Sequence, residues 1–124
     1  MIWQLGTNTV VKGSAADVAD TTALLEEGIA QLQARGIDVV LIDPQYVPAV
    51  ASKAENASSM VKLIAQVAKL KNVSLFPRFE VMKQWHEDEK LPFDKFVIGD
   101  GLHMNDWGYA CFAQLLGDTI IASV

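Results

Sequence analysis

The stretch Ile37-Asp38-Val39-Val40-Leu41-Ile42, closed by Asp43-Pro44, decides the fold. It is a near-continuous apolar, β-branched run rather than an alternating one, the pattern of a strand buried on both faces of a parallel sheet. Immediately upstream, Gly36 supplies a helix stop, and Val18, Thr22, Leu25, Ile29 and Leu32 fall at helical spacing before it. That helix starts at Ser14, where Asp17 three residues on completes a capping box that satisfies free N–H groups of the first turn. Further back, Met1-Ile2-Trp3-Gln4-Leu5 reads as a strand in which the sequence opens, broken by Gly6-Thr7-Asn8-Thr9.

Downstream of Asp43-Pro44 a proline-containing loop is expected through Tyr46 and Pro48, then a helix from about Asn56 to Leu70 with Met60, Ile64, Val67 and Leu70 on one stripe. Asn72 to Phe76 reads as a third strand stopped by Pro77, and Phe79, Met82 and Trp85 as a short helix. A charged run and a loop lead to Asn105, which can cap a last helix with Tyr109, Phe112, Leu116 and Ile120 as its buried face. The order β-α-β-α-β-α-α specifies an α/β fold: a parallel sheet with right-handed crossovers and helices on both faces.

The 124 residues are 51% hydrophobic, which suits one domain over residues 1–124 with a real core. Fifteen Asp+Glu against 10 Lys+Arg give a net charge of −5, arguing against nucleic acid or an anionic membrane surface as partner. No apolar run, the strand-sized Val39 to Ile42 included, approaches the ~20 residues that span a bilayer. No signal peptide is legible, so the expected location is cytoplasmic, or that of the mature part of an exported protein. One cysteine, Cys111, excludes an internal disulfide and any multi-cysteine metal site; no metal and no cofactor are expected.

In open parallel sheets ligands bind beyond the carboxyl ends of the strands. Those positions hold Gly6, Thr7 and Asn8 after the first strand, Asp43 and Gln45 after the second, and Arg78 after the third. Asp100-Gly101-Leu102-His103 lies just before the last helix. An aspartate three residues ahead of a histidine can accept its Nδ1 proton and leave Nε2 as a general base.

Gly6-Thr7-Asn8 after a strand, with Asp100-Gly101-Leu102-His103 leading into Asn105-Asp106-Trp107-Gly108-Tyr109, resembles the SGNH hydrolases, also called GDSL esterases or lipases. The resemblance runs through the whole chain and implies a flavodoxin-like three-layer α/β/α fold and serine-dependent hydrolysis of a small-molecule carboxylic ester. Carried over, His103 is the general base, Asp100 orients it, and Asn8 donates its side-chain N–H in the oxyanion hole. Gly6 and Thr7 belong to the same substrate-binding block. Two departures stand out. Thr9 replaces the aspartate that ends the family's Asn-bearing block, and no Gly-Asp-Ser nucleophile block occurs anywhere.

The family sheet has strand order 2-1-3-4-5, and the strands read here correspond to its last three. The resemblance therefore implies the C-terminal part of such a domain, truncated to about three strands and with no nucleophile of its own. Such a form has little or no activity alone, unless a serine-bearing segment is supplied in trans. It further implies that Ile2 to Leu5, suited to a central position, stands at a sheet edge, where it can pair two copies as a homodimer. A non-catalytic homo-oligomeric binding or assembly module that reuses the fold is the alternative.

Other residues have plainer roles. Ser14 is accounted for as a helix cap, not a nucleophile. His86 reads as a solvated surface histidine, and Glu87, Asp88 and Glu89 as a solvated face. Cys111 reads as a small buried hydrophobe. Trp3, Trp85 and Trp107 are too scattered for a stacking platform and read as core or interface.

Overall fold

A computed structural model of the chain describes residues 1–123. Three short strands, β1 (Ile2–Gln4), β2 (Val40–Ile42) and β3 (Ser74–Phe76), form one parallel sheet in the order β1-β2-β3. The register aligns Trp3 with Leu41 and Leu75, and Gln4 with Ile42 and Phe76. Because side chains alternate along a strand, these two rows face opposite sides of the sheet.

Six α-helices connect and follow the strands: α1 (Thr7–Lys12), α2 (Ala15–Ala34), α3 (Pro48–Ala51), α4 (Ala54–Lys71), α5 (Arg78–Glu87) and α6 (Asp106–Ala122). Crossovers of one hand place α2 and α4 side by side on the same face, and they pack against each other there. The core sits beneath them: Leu25 and Ile29 of α2 and Met60, Ile64 and Val67 of α4 close over Leu41. Trp3 joins them half-buried, its indole lying against Gly28, where a Cβ would come within 2.6 Å of the ring. On the opposite face Phe112 of α6 meets Phe76 edge-on at 5.4 Å between ring centroids.

The capping signals act as the sequence indicates. Ser14 and Asp17 exchange both bonds of a capping box at the start of α2, and the Asn105 carboxamide accepts the Gly108 N–H at the start of α6. Asn72, in left-handed backbone, ends α4.

The structure corrects several expectations. The Gly6–Thr9 block is not a plain break but the start of α1, and the loop after Asp43 contains the single turn α3. Tyr109 is 49% exposed instead of buried; Phe112, Leu116 and Ile120 are half-buried, and in α6 only Gly108 is buried. The helix is held tightly only near its N-terminus, and the three strands give the rest of its apolar surface little to cover. His86 is half-buried, not freely solvated: its ring stacks on Phe93 at 3.8 Å and its Nδ1–H donates to the Leu91 carbonyl. Cys111 is half-buried. Among the described residues, no helix is long and apolar enough to cross a membrane.

Gly108 explains where α6 docks. A Cβ there would lie 2.6 Å from the Phe96 carbonyl oxygen and 3.2 Å from the Met104 side chain. Gly108→Ala is therefore expected to destabilise the protein by ~1–3 kcal/mol through overpacking. Gly117→Ala in the same helix meets nothing within 4 Å and should stabilise it by ~0.5–1 kcal/mol through helix propensity. Thermal unfolding of the two variants should show Tm moving in opposite directions; a shared direction would contradict this docking.

Candidate functional site

A cleft of about 290 Å³ opens at the carboxyl ends of the strands. Gly6, Thr7 and Asn8 line it from the β1–α1 junction, Gln45 from beyond β2, Arg78 from the start of α5, and His103 from the loop before α6. The loop thus brings together residues that lie up to 97 positions apart in the sequence.

Gly6 makes the first corner. Its φ of +96° is a conformation that side-chain-bearing residues rarely adopt, and a Cβ would lie 2.8 Å from Met60 Cγ. This close approach turns the chain from β1 directly into α1 and sets Asn8, exposed, in the first helical turn at the cleft wall.

The second component is local. Asp100 Oδ2 lies 2.5 Å from His103 Nδ1, while Oδ1 accepts the backbone N–H groups of Leu102 and His103 at 2.9 and 3.0 Å. Gly101, at φ +69°, makes the turn that folds the carboxylate back on this loop. A carboxylate can only accept when ionised, so the shared proton sits on Nδ1 and Nε2 of the neutral ring keeps its lone pair. These bonds, that from the His103 ring foremost, hold the Asp100 carboxyl down at about 2. Both side chains remain open to solvent, 60% exposed for His103 and 41% for Asp100.

The floor is polar, with Arg78 and Asp43 buried in it. Arg78, only 4% exposed, donates from Nε to the Asp43 carbonyl, from one η nitrogen to Gln4 Oε1 and from the other to Gln45 Oε1. Gln45 Oε1 also accepts from Thr7 Oγ1 at 2.7 Å, and its amide nitrogen donates to the Leu102 carbonyl next to His103. Gln45 therefore ties the Asn8 side of the cleft to the His103 loop. Burial draws the Arg78 guanidinium down to about 10, opposed by the nearby Asp43 charge. Burial likewise pushes the Asp43 carboxyl up to about 6, against the Phe79 N–H and Arg78, which favour the anion.

The structure therefore places Gly6, Thr7, Asn8 and His103 on one cleft, with Asp100 behind His103. Ser14 lies outside it, engaged in its capping box. Among the described residues, no serine lines the cleft; its hydroxyls belong to Thr7, Thr9 and Tyr109. Among those residues, no group of three His, Cys, Asp or Glu side chains is placed to hold a metal. Arg78, Gln45 and Tyr109 also line the cleft, without a chemical role that the motifs assign. The first two were detectable only as positions just past a strand, and Tyr109 was assigned to the core.

Chemically, the arrangement offers an oriented imidazole base, a carboxamide donor and a buried cation around a space for a small molecule. Compared with known protein families, the model described as the non-GDSL lipase-like family matches residues 1–124. Compared with curated proteins, the chain has no match.

The buried Asp43 provides a direct check on the floor. In the unfolded chain it ionises near 3.8, in the fold only at about 6. Between those values the native state binds the extra proton, so its contribution to stability is full below 3.8 and is lost as pH rises to about 6. Asp43→Asn removes this slope. Urea unfolding from pH 4 to 7 should show wild type losing on the order of 2–3 kcal/mol relative to the variant; parallel curves would contradict the burial.

Proposed function

Since the chain belongs to the non-GDSL lipase-like family, we propose that its cleft serves carboxylic-ester hydrolysis of the SGNH type. The observation that carries this reading is the meeting of the oriented His103–Asp100 pair and Asn8 around one cleft. In the proposed reaction His103 Nε2 takes the proton of the attacking hydroxyl and returns it to the leaving alcohol. Asp100 keeps the ring in the required tautomer and stabilises the imidazolium. The Asn8 carboxamide donates to the oxyanion of the tetrahedral intermediate, a contribution of ~3 kcal/mol for a well-placed donor.

The nucleophile has to come from elsewhere. The sequence contains no Gly-Asp-Ser, and among the described residues no serine lines the cleft. A triad acts as a unit, so His103 without its serine gives only a remnant of the rate. In this reading the serine is supplied by a segment other than this one. The chain alone should hydrolyse p-nitrophenyl acetate slowly, and His103→Ala should bring the rate to that of buffer. Adding a peptide with Gly-Asp-Ser should raise the rate and permit labelling by a fluorophosphonate probe. Absence of turnover with and without the peptide would reject the ester-hydrolase reading.

A second reading, a non-catalytic module that assembles with its own kind, is favoured by the β1 edge. Met1 O and Leu5 N–H pair with β2, so the backbone groups of Ile2 and Gln4 alternate outward. Met1 and Ile2 are 58% and 54% exposed there. Trp3 and Leu5, half-buried, contribute less to this patch than the sequence implies. The homodimer proposed through Ile2–Leu5 should sediment as a dimer at micromolar concentration, and Ile2→Lys should make it a monomer without loss of helicity. A wild-type monomer would eliminate that interface.

A further inference from the structure

The cleft presents a buried cation in a protein that is acidic as a whole. The chain has a net charge of −5, yet the cleft is lined by Arg78 and His103 and, among the described residues, by no aspartate or glutamate. Around them stand the neutral amides of Gln4, Asn8 and Gln45.

Arg78 is the unusual member. A buried cation is ordinarily held by a carboxylate, because desolvation costs more than neutral acceptors return. Here all three of its hydrogen-bond acceptors are uncharged: one backbone carbonyl and two glutamine side chains. A guanidinium has five N–H groups, so each η nitrogen keeps one hydrogen beyond these bonds. The nearest carboxyl, Asp43, is bonded to the Phe79 N–H, and no ion pair joins it to Arg78 among the described residues. The Asp43 charge acts on Arg78 through space only, and leaves the remaining η hydrogens unoccupied.

We propose that the cleft is a carboxylate site with Arg78 as its anchor. The remaining η hydrogens of Arg78 supply charge-assisted bonds to the anion, and the glutamines and Thr7 hold the guanidinium still. Gln4 and Gln45 act as positioning residues: they fix the cation without neutralising it, as an aspartate in either place would. Resting on the ester-hydrolysis reading, this names the substrate class: esters that carry a free carboxylate, such as monoesters of a dicarboxylic acid.

The test is a titration of the isotope-labelled chain followed by NMR, with succinate as probe and uncharged succinamide as its control. Succinate should shift the backbone amides of Thr7, Asn8 and His103 saturably, and raised salt should weaken its binding. Succinamide should bind at least about tenfold more weakly, as expected for loss of a charge-assisted bond. Arg78→Gln should weaken succinate by about the same factor, and Arg78→Lys should retain part of the affinity. If circular dichroism shows Arg78→Gln unfolded, wild type and Arg78→Lys still decide the matter. Equal shifts with succinamide, or none with succinate up to about 50 mM, far weaker than millimolar binding, would overturn the proposal. No ester enters this titration. Carboxylate binding without ester turnover would remove the hydrolase reading alone, and turnover without carboxylate binding would remove this one alone.

Discussion

One buried guanidinium holds the working end of this molecule together. Arg78 begins α5 directly after β3, and its nitrogens reach the Gln4 side chain on β1 and both Asp43 and Gln45 after β2. A single residue thereby ties the carboxyl ends of all three strands. A cation excluded from water has to find acceptors, and this requirement dictates which side chains can stand around it. Gln4 belongs to the sheet row that faces α6, and Gln45 continues the connection to Thr7 and to the Leu102 carbonyl. If the clamp were lost, the Asn8 side and the His103 side of the cleft would no longer share a support.

Two kinds of order meet at the cleft. The His103–Asp100 pair is self-sufficient: a turn at Gly101, two backbone N–H groups and one side-chain bond fix it within four consecutive residues. Its position over the cleft is borrowed, through Gln45 to Leu102 and through the Ala49 N–H, which donates to the Gly101 carbonyl. Asn8 depends likewise on the Gly6 corner, which only a residue without a Cβ can make against Met60. The chemistry therefore rests on α3 and α4 as much as on the residues that would touch a ligand.

The opposite face of the sheet is less complete. The face toward α2 and α4 has a continuous core, but α6 covers the other with Phe112 on Phe76 and leaves Tyr109, Leu115 and Ile121 exposed. Gly108 sets a close backbone approach near the start of α6, and beyond Phe112 the helix is at most half-buried. Together with the outward-facing edge of β1, this open side is where association with another chain would gain the most apolar contact.

Residue patterns alone determined what depends on near neighbours. The β-branched run before Asp43, the capping box of Ser14 and Asp17, the cap at Asn105 and the Asp100–His103 pair are each complete within a few positions, because hydrogen bonds and side-chain periodicity of that range are written into local spacing. Tertiary structure decided everything that requires distant segments to meet. It made Arg78 the centre of the cleft floor, moved Tyr109 from the expected core to the cleft wall, and half-buried His86 against Phe93. None of these is visible in spacing, since burial and partner choice depend on how a three-stranded sheet brings its strand ends and helices together, and a linear pattern carries no record of that distance.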